Sequence, residues 1–185
     1  TQIDRTKMYL ENPNFLEEET ILALEQLQKD LSLPKIPERI ECYDISNISG
    51  KDATGSMVVL THGDIDKSQY RKFKIRLTGR PNDVGMHKEI IKRRLKHPEW
   101  QFPDLIIVDG GRGQVRAVKH ELRIMNYGIP VFGLAKRAEW LYPPEGEVIK
   151  LPRKRLSLKL LQKIRDESHR FAIAYHRKLR DRIKM

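Results

Sequence analysis

Four consecutive apolar residues, Leu105 to Val108, run directly into Asp109, Gly110 and Gly111. A short, unbroken apolar run of this kind is buried on both faces of a sheet, so helices must lie above and below it, which points to the α/β class. The strand ends in a carboxylate where the chain leaves the sheet, and strand C-terminal ends are where open α/β sheets place their sites. Gly110 and Gly111 permit backbone approaches that side chains would block. The plainer alternative for Asp109 is a helix-capping aspartate in a glycine turn.

The flanking pattern agrees with a mixed sheet. Arg39–Ser46, Thr54–His62 and Gln69–Leu77 read as three successive strands, an antiparallel meander. In the third, Phe73, Ile75 and Leu77 alternate with Lys72, Lys74 and Arg76, which gives one basic face. From about Val84 the pattern alternates between α and β: a helix to Leu95, the strand at Leu105, a helix at about Gly113–Met125 and a strand at Val131–Leu134. This predicts a parallel extension of the meander and a sheet of about five strands flanked by helices. A small hairpin is expected between Trp140 and Leu151, and a last helix from about Ser157 to Arg182. Before the sheet, Glu17–Leu31 reads as an amphipathic helix with Ile21, Leu24, Leu27 and Leu31 on its apolar face, and Pro34 and Pro37 end it.

Charge narrows the function. Lysine and arginine total 36 against 25 acids, a net charge of +11, which attracts polyanions and makes nucleic acid the first partner to consider. The basic clusters are Lys92–Lys96, Lys150–Arg155 and Arg170–Lys184, each of which alone would be an ordinary solvated face. Cys42 is the single cysteine, so an intramolecular disulfide and a Cys-rich zinc site are both excluded, and a reducing cytoplasm fits. No apolar run approaches the ~20 residues a membrane span needs. The start is neither a signal peptide nor an initiator Met, and the chain reads as a fragment of something longer. Phosphate-loop, nucleophile-elbow and His-Glu-x-x-His patterns are missing, which removes the usual support for nucleotide hydrolysis, acyl transfer and zinc proteolysis.

Two further residues carry candidate chemistry. Asp44 sits between Cys42 and Ser46 on one face of the first strand, where a buried ionised carboxylate needs a partner. That partner is either a structural hydrogen-bond donor or a metal. If the first and fourth strands are neighbours, Asp44 and Asp109 converge, and paired hard oxygen ligands suit Mg²⁺ or Mn²⁺. His169 shares a helical stripe with Arg165, Ala172 and His176; beside a metal it is a ligand or general base, otherwise a packing or surface group.

Taken in order, ECYDIS (Glu41–Ser46), IIVDGGRGQ (Ile106–Gln114), PPEGE (Pro143–Glu147) and RDESHRFAI with HRK (Arg165–Ile173, His176–Lys178) resemble the C-terminal endonuclease domain of UvrC, the excinuclease subunit of bacterial nucleotide excision repair. The resemblance runs from about Arg39 to Lys178. It implies a ribonuclease H-like fold over residues 38–185, preceded by a helix and linker over 1–37. It also implies a divalent metal, Mg²⁺ or Mn²⁺, served by Asp44, Asp109 and His169, and cutting of damaged double-stranded DNA on the 5′ side of a lesion. A further acidic position of the family matches Asp83, in a loop that departs from the usual Thr-Pro-Gly-Asp-Asp pattern. Lys136, Arg165, Arg170 and Arg177 lie in family-like motifs and are candidates for phosphate contact, as are Lys72 and Lys74 outside them. UvrB is the implied protein partner, reached through regions not seen in this chain, and the implied location is cytoplasmic. Two alternatives are a ribonuclease H-like nuclease of the same fold acting on RNA or branched DNA, and a DNA-binding module without catalysis that uses the basic clusters alone.

Overall fold

The computed structural model describes residues 14–48, 52–76, 83–135 and 139–184. Helix α1 (Phe15–Asp30) leads into β1 (Arg39–Ile48), β2 (Asp52–Thr61), β3 (Asp64–Ile65) and β4 (Arg71–Lys74). There follow α2 (Asp83–Leu95), β5 (Leu105–Asp109), α3 (Arg112–Ile124), β6 (Val131–Leu134), β7 (Trp140–Tyr142), β8 (Ile149–Lys150) and α4 (Leu156–Ile183). None of the described helices is long and apolar enough to cross a membrane.

All eight described strands join one mixed sheet in the order β3-β2-β1-β5-β6-β7-β8, with β4 also on β2. β1 and β2 are antiparallel, whereas β1, β5 and β6 run parallel, so the meander and its parallel extension are both present. The expected count of about five is corrected to eight. The difference lies in short pieces: the outer edge of β2 is divided between β3, at Leu60 and Thr61, and β4, at Thr54–Met57. The expected third strand over 69–77 is accordingly shorter, because a 3-10 turn at Lys67–Gln69 precedes it and β4 itself has only four residues. The expected hairpin is β7 with β8, and β7 pairs antiparallel with β6, which makes the hairpin the far edge of the sheet.

Alternation along β1 divides the interior into two cores, one on each face. Ile40 and Cys42 face α1 and α4, where they pack with Leu27, Ile107, Leu160, Leu161 and Ile164. Tyr43 faces α2 and α3, among Ile90, Ile91, Val118 and Leu122. The apolar run of β5 divides in the same way, Leu105 and Ile107 to one core, Ile106 and Val108 to the other, all at most 1% exposed. This is the two-sided burial that the run requires.

Helix α1 places Glu17 and Glu18 in its first turn, where the helix dipole favours acids. Its buried residues are Ala23, Leu24, Leu27 and Leu31, while Ile21 is 48% exposed and so lies off the apolar face to which its spacing assigns it. The end of α1 is tied to the start of α4: Arg155 Nε and Ser157 Oγ donate to Asp30 Oδ2 at 2.7 and 2.6 Å.

Glu41 organises the opposite core. Arg94 donates from Nε to Oε1 and from a terminal nitrogen to Oε2, both at 2.9 Å, Arg39 Nε donates to Oε2 at 2.9 Å, and the Tyr43 hydroxyl donates to Oε1. Glu41 is fully buried and Arg94 is 1% exposed. Charge-assisted, two-pronged bonding of this kind compensates the cost of taking both ions out of water. It locks α2 to the central strand.

Candidate metal centre

Parallel pairing of β1 and β5 reaches Tyr43 opposite Val108. One residue further along each strand stand Asp44 and Asp109, on the face that looks toward α4, because they share the parity of Cys42 and Ile107. Both carboxylates therefore emerge side by side where the parallel pairing ends, Asp109 as the last residue of β5 and Asp44 midway along β1. From above, α4 delivers His169. Its Nε2 lies 2.7 Å from Asp109 Oδ2 and 3.8 Å from Asp44 Oδ2. One donor atom from each of the three falls within 4.8 Å of the others. The Asp44 and Asp109 side chains are 11% and 4% exposed and His169 is 32% exposed, so the group is set into the protein and open on the histidine side.

The strand end is shaped to admit this cluster. A cleft of about 320 Å³ is lined by Asp44, Asp109, Gly110, Gly111 and Gln114, together with His87, Leu134 and Ala135. Gly111 caps α3, and its N–H donates to Gln114 Oε1 at 3.2 Å. A Cβ built on Gly133 would fall 2.4 Å from the Gly110 carbonyl oxygen, so only glycine lets β6 pass this close to the turn after Asp109. The PPEGE segment is held against α3: Arg116 Nε donates to the Pro144 carbonyl at 2.9 Å and an Arg112 terminal nitrogen to the Gly146 carbonyl at 2.6 Å.

The two acids also mark their surroundings electrostatically. The Cys42 thiol is pushed up by complete burial and then by the negative charge of Asp44 and Asp109, so it stays a neutral packing group. Two turns beyond His169, His176 Nε2 bonds Ser46 Oγ, and burial holds this imidazole below its ordinary value. Helix α4 thus reaches the end of the sheet twice, at the aspartates and at Ser46.

The other candidate residues divide by position. Arg165 is mostly withdrawn, its guanidinium donating to the Ala135 carbonyl at 3.3 Å. Arg170 pairs with Glu167 through two hydrogen bonds, and that pairing, with the Tyr70 hydroxyl donating to the same carboxylate at 2.9 Å, holds Glu167 below the usual carboxylate range against the effect of burial. Arg177 is exposed. Lys136 lies outside the described residues, and Asp83 opens α2 with its side chain outside them. Glu41, His87 and Gly133 were not singled out by the sequence. Of these, Glu41 left one signal, a charged residue inside the ECYDIS strand at the parity opposite to Asp44.

The chain is similar to known proteins. A family model described as the UvrC RNase H endonuclease domain matches residues 28–173. The UvrABC system protein C of Chlorobaculum tepidum is 46% identical over 162 residues, 85% of this chain and 26% of that protein. Its counterpart in Clostridioides difficile is 46% identical over 169 residues, 89% of this chain and 27% of that protein. The chain thus spans about a quarter of the length of these relatives. Among solved structures, Ciona intestinalis endonuclease V in complex with a 24mer DNA containing an inosine is similar at a TM-score of 0.42 and 14% identity, over 68% of this chain and 59% of that one. With a family model covering most of its length and relatives at this identity, the chain belongs to the UvrC RNase H endonuclease domain family.

Proposed function

We propose that this domain is a metal-dependent DNA endonuclease that makes the 5′ incision beside a lesion in nucleotide excision repair. The observation that carries the reading is the convergence of Asp44, Asp109 and His169 within 4.8 Å where the parallel pairing of β1 and β5 ends. Two carboxylates and one imidazole are a donor set suited to a hard or borderline divalent cation, Mg²⁺ or Mn²⁺. A binding module without catalysis would have no use for two acids that repel phosphate.

Asp44 and Asp109 would hold the ion, with His169 as third ligand or as the base beside it. When bound, such an ion polarises a phosphoryl oxygen, activates water and stabilises the leaving oxygen. Asp109 Oδ2 accepts from His169 Nε2 at 2.7 Å, which orients the ring and leaves Nδ1 as the nitrogen able to take up a proton. The rest of the +11 charge draws the polyanion to the site. In this reading the substrate is damaged double-stranded DNA in the cytoplasm, presented with UvrB through regions of the intact protein outside this chain.

The test is incision of a lesion-bearing duplex by the intact protein carrying Asp44→Asn or Asp109→Asn, with Mg²⁺ or Mn²⁺ supplied. Each change should abolish 5′ cutting and leave the thermal midpoint in place. Wild-type cutting by either would refute the assignment.

A further inference from the structure

Asp44 is opposite Ser56 on β2, and Ser56 is opposite Lys72 on β4. Cross-strand partners point to the same face, so a row runs across the sheet from the two carboxylates through a buried serine to an ammonium. At ~4.8 Å per strand, Lys72 stands roughly 10 Å from Asp44. Its Nζ lies over two rings of α4, 4.2 Å from the Tyr175 centroid and 5.0 Å from that of Phe171. Tyr70 braces Phe171 edge-on at 5.1 Å. Phe171, Tyr175, Lys178 and Arg182 follow one another at helical spacing, so the stripe that supplies the rings continues into two cations. The Lys72 ammonium is held below its ordinary value by partial desolvation, then by Lys178 and Arg182. The three cations are therefore close enough to repel. Among the described residues none of them forms an ion pair, and all three are exposed.

We propose that Lys72, Lys178 and Arg182 form a phosphate anchor, cradled by Tyr175 and Phe171, that holds the DNA backbone beside the carboxylate pair and so selects the phosphodiester that reaches it. Three mutually repelling cations without an acid are stabilised by an anion with several oxygens, and a backbone phosphate offers one. Neighbouring phosphates of one strand lie farther apart than the ~3.4 Å axial rise, so the roughly 10 Å to Asp44 corresponds to an anchored phosphate about one to two nucleotides from the scissile one. The aromatic cradle keeps the lysine in place before DNA arrives. This rests on the nuclease reading above and gives the site its strand register.

Methionine keeps the aliphatic stem over the rings and removes the charge. Binding of a fluorescent DNA duplex is measured in EDTA for the wild-type chain, for Lys72→Met/Lys178→Met/Arg182→Met, and for a control triple at exposed positions elsewhere, Lys96→Met/Arg123→Met/Lys154→Met. The slope of log K against log salt should fall by about 2–3 in the anchor triple, near 0.9 per lost contact, and by clearly less in the control. Should the triple fail to fold, Lys178→Met alone, at an exposed helix position, should lower the slope by about 1. In the intact protein, a neutral methylphosphonate about one to two nucleotides from the cut should slow wild-type incision and make no difference to the anchor triple. Equal slopes in the anchor and control triples, or methylphosphonate sensitivity that survives in the anchor triple, would overturn the anchor. Asp109→Asn in the same assays separates the two ideas: if it still cuts, the nuclease reading fails whatever the slopes show, and if it does not while the triples match, the anchor alone fails.

Discussion

His169 and Asp109 lie 60 residues apart in the chain and meet at 2.7 Å, a helix side chain closing over a strand end. An imidazole so placed has a carboxylate to orient it and a side exposed to water. His169→Ala is expected to lower the single-turnover rate of 5′ incision by about 10²–10⁴-fold, the usual contribution of a positioned acid or base, with DNA affinity and thermal midpoint close to wild type. His176→Ala, in which the lost contact is to Ser46, should reduce cutting far less. The reverse ranking would move the chemistry to the other histidine.

Glu41→Gln tests the buried lock between β1 and α2. Neutralising the acceptor leaves Arg94, 1% exposed, as an uncompensated charge, and breaking a buried pair in this way costs about 3–5 kcal/mol. Urea unfolding should show a midpoint lowered accordingly with its slope unchanged. A shift of a few tenths of a kcal/mol would mean that Arg94 finds solvent.

Gly133→Ala places a methyl group 2.4 Å from the Gly110 carbonyl and 2.7 Å from a Val115 methyl. Because the first neighbour is backbone, β6 or the turn after Asp109 must move. The variant is expected to lose stability on the order of 1–3 kcal/mol and incision activity beyond the loss of folded protein. Calorimetry alongside the incision assay checks this; a native midpoint with full activity would show that the turn has room to yield.

His176 predicts a pH dependence. Burial holds its folded value below the ordinary 6.5, so the unfolded chain takes up a proton at this residue at a pH where the folded chain does not. Its contribution to stability is present above 6.5 and is lost as pH falls from there toward the depressed folded value. The thermal midpoint of the wild type minus that of His176→Gln should therefore narrow between about pH 7.5 and pH 5.5. A difference that widens on acidification would mean that His176 is charged in the folded protein.

Local order in this chain is legible because each element signals through its own residues. Leu105–Val108 is uniformly apolar because both faces of β5 are covered, and Asp109 stands out because it ends that run. The alternation of β1 likewise puts Cys42, Asp44 and Ser46 on one face without reference to any partner. Only the parallel pairing of β1 with β5 made neighbours of Asp44 and Asp109, and only the path of α4 across the sheet brought His169 to them rather than to solvent. The lock of Glu41 with Arg94 spans 53 residues, and the row from Asp44 to Lys72 crosses three strands. Periodicity records which way a side chain points within its own element. Which other side chain it meets depends on strand order, register and helix placement, and these follow from how the whole apolar surface is buried at once.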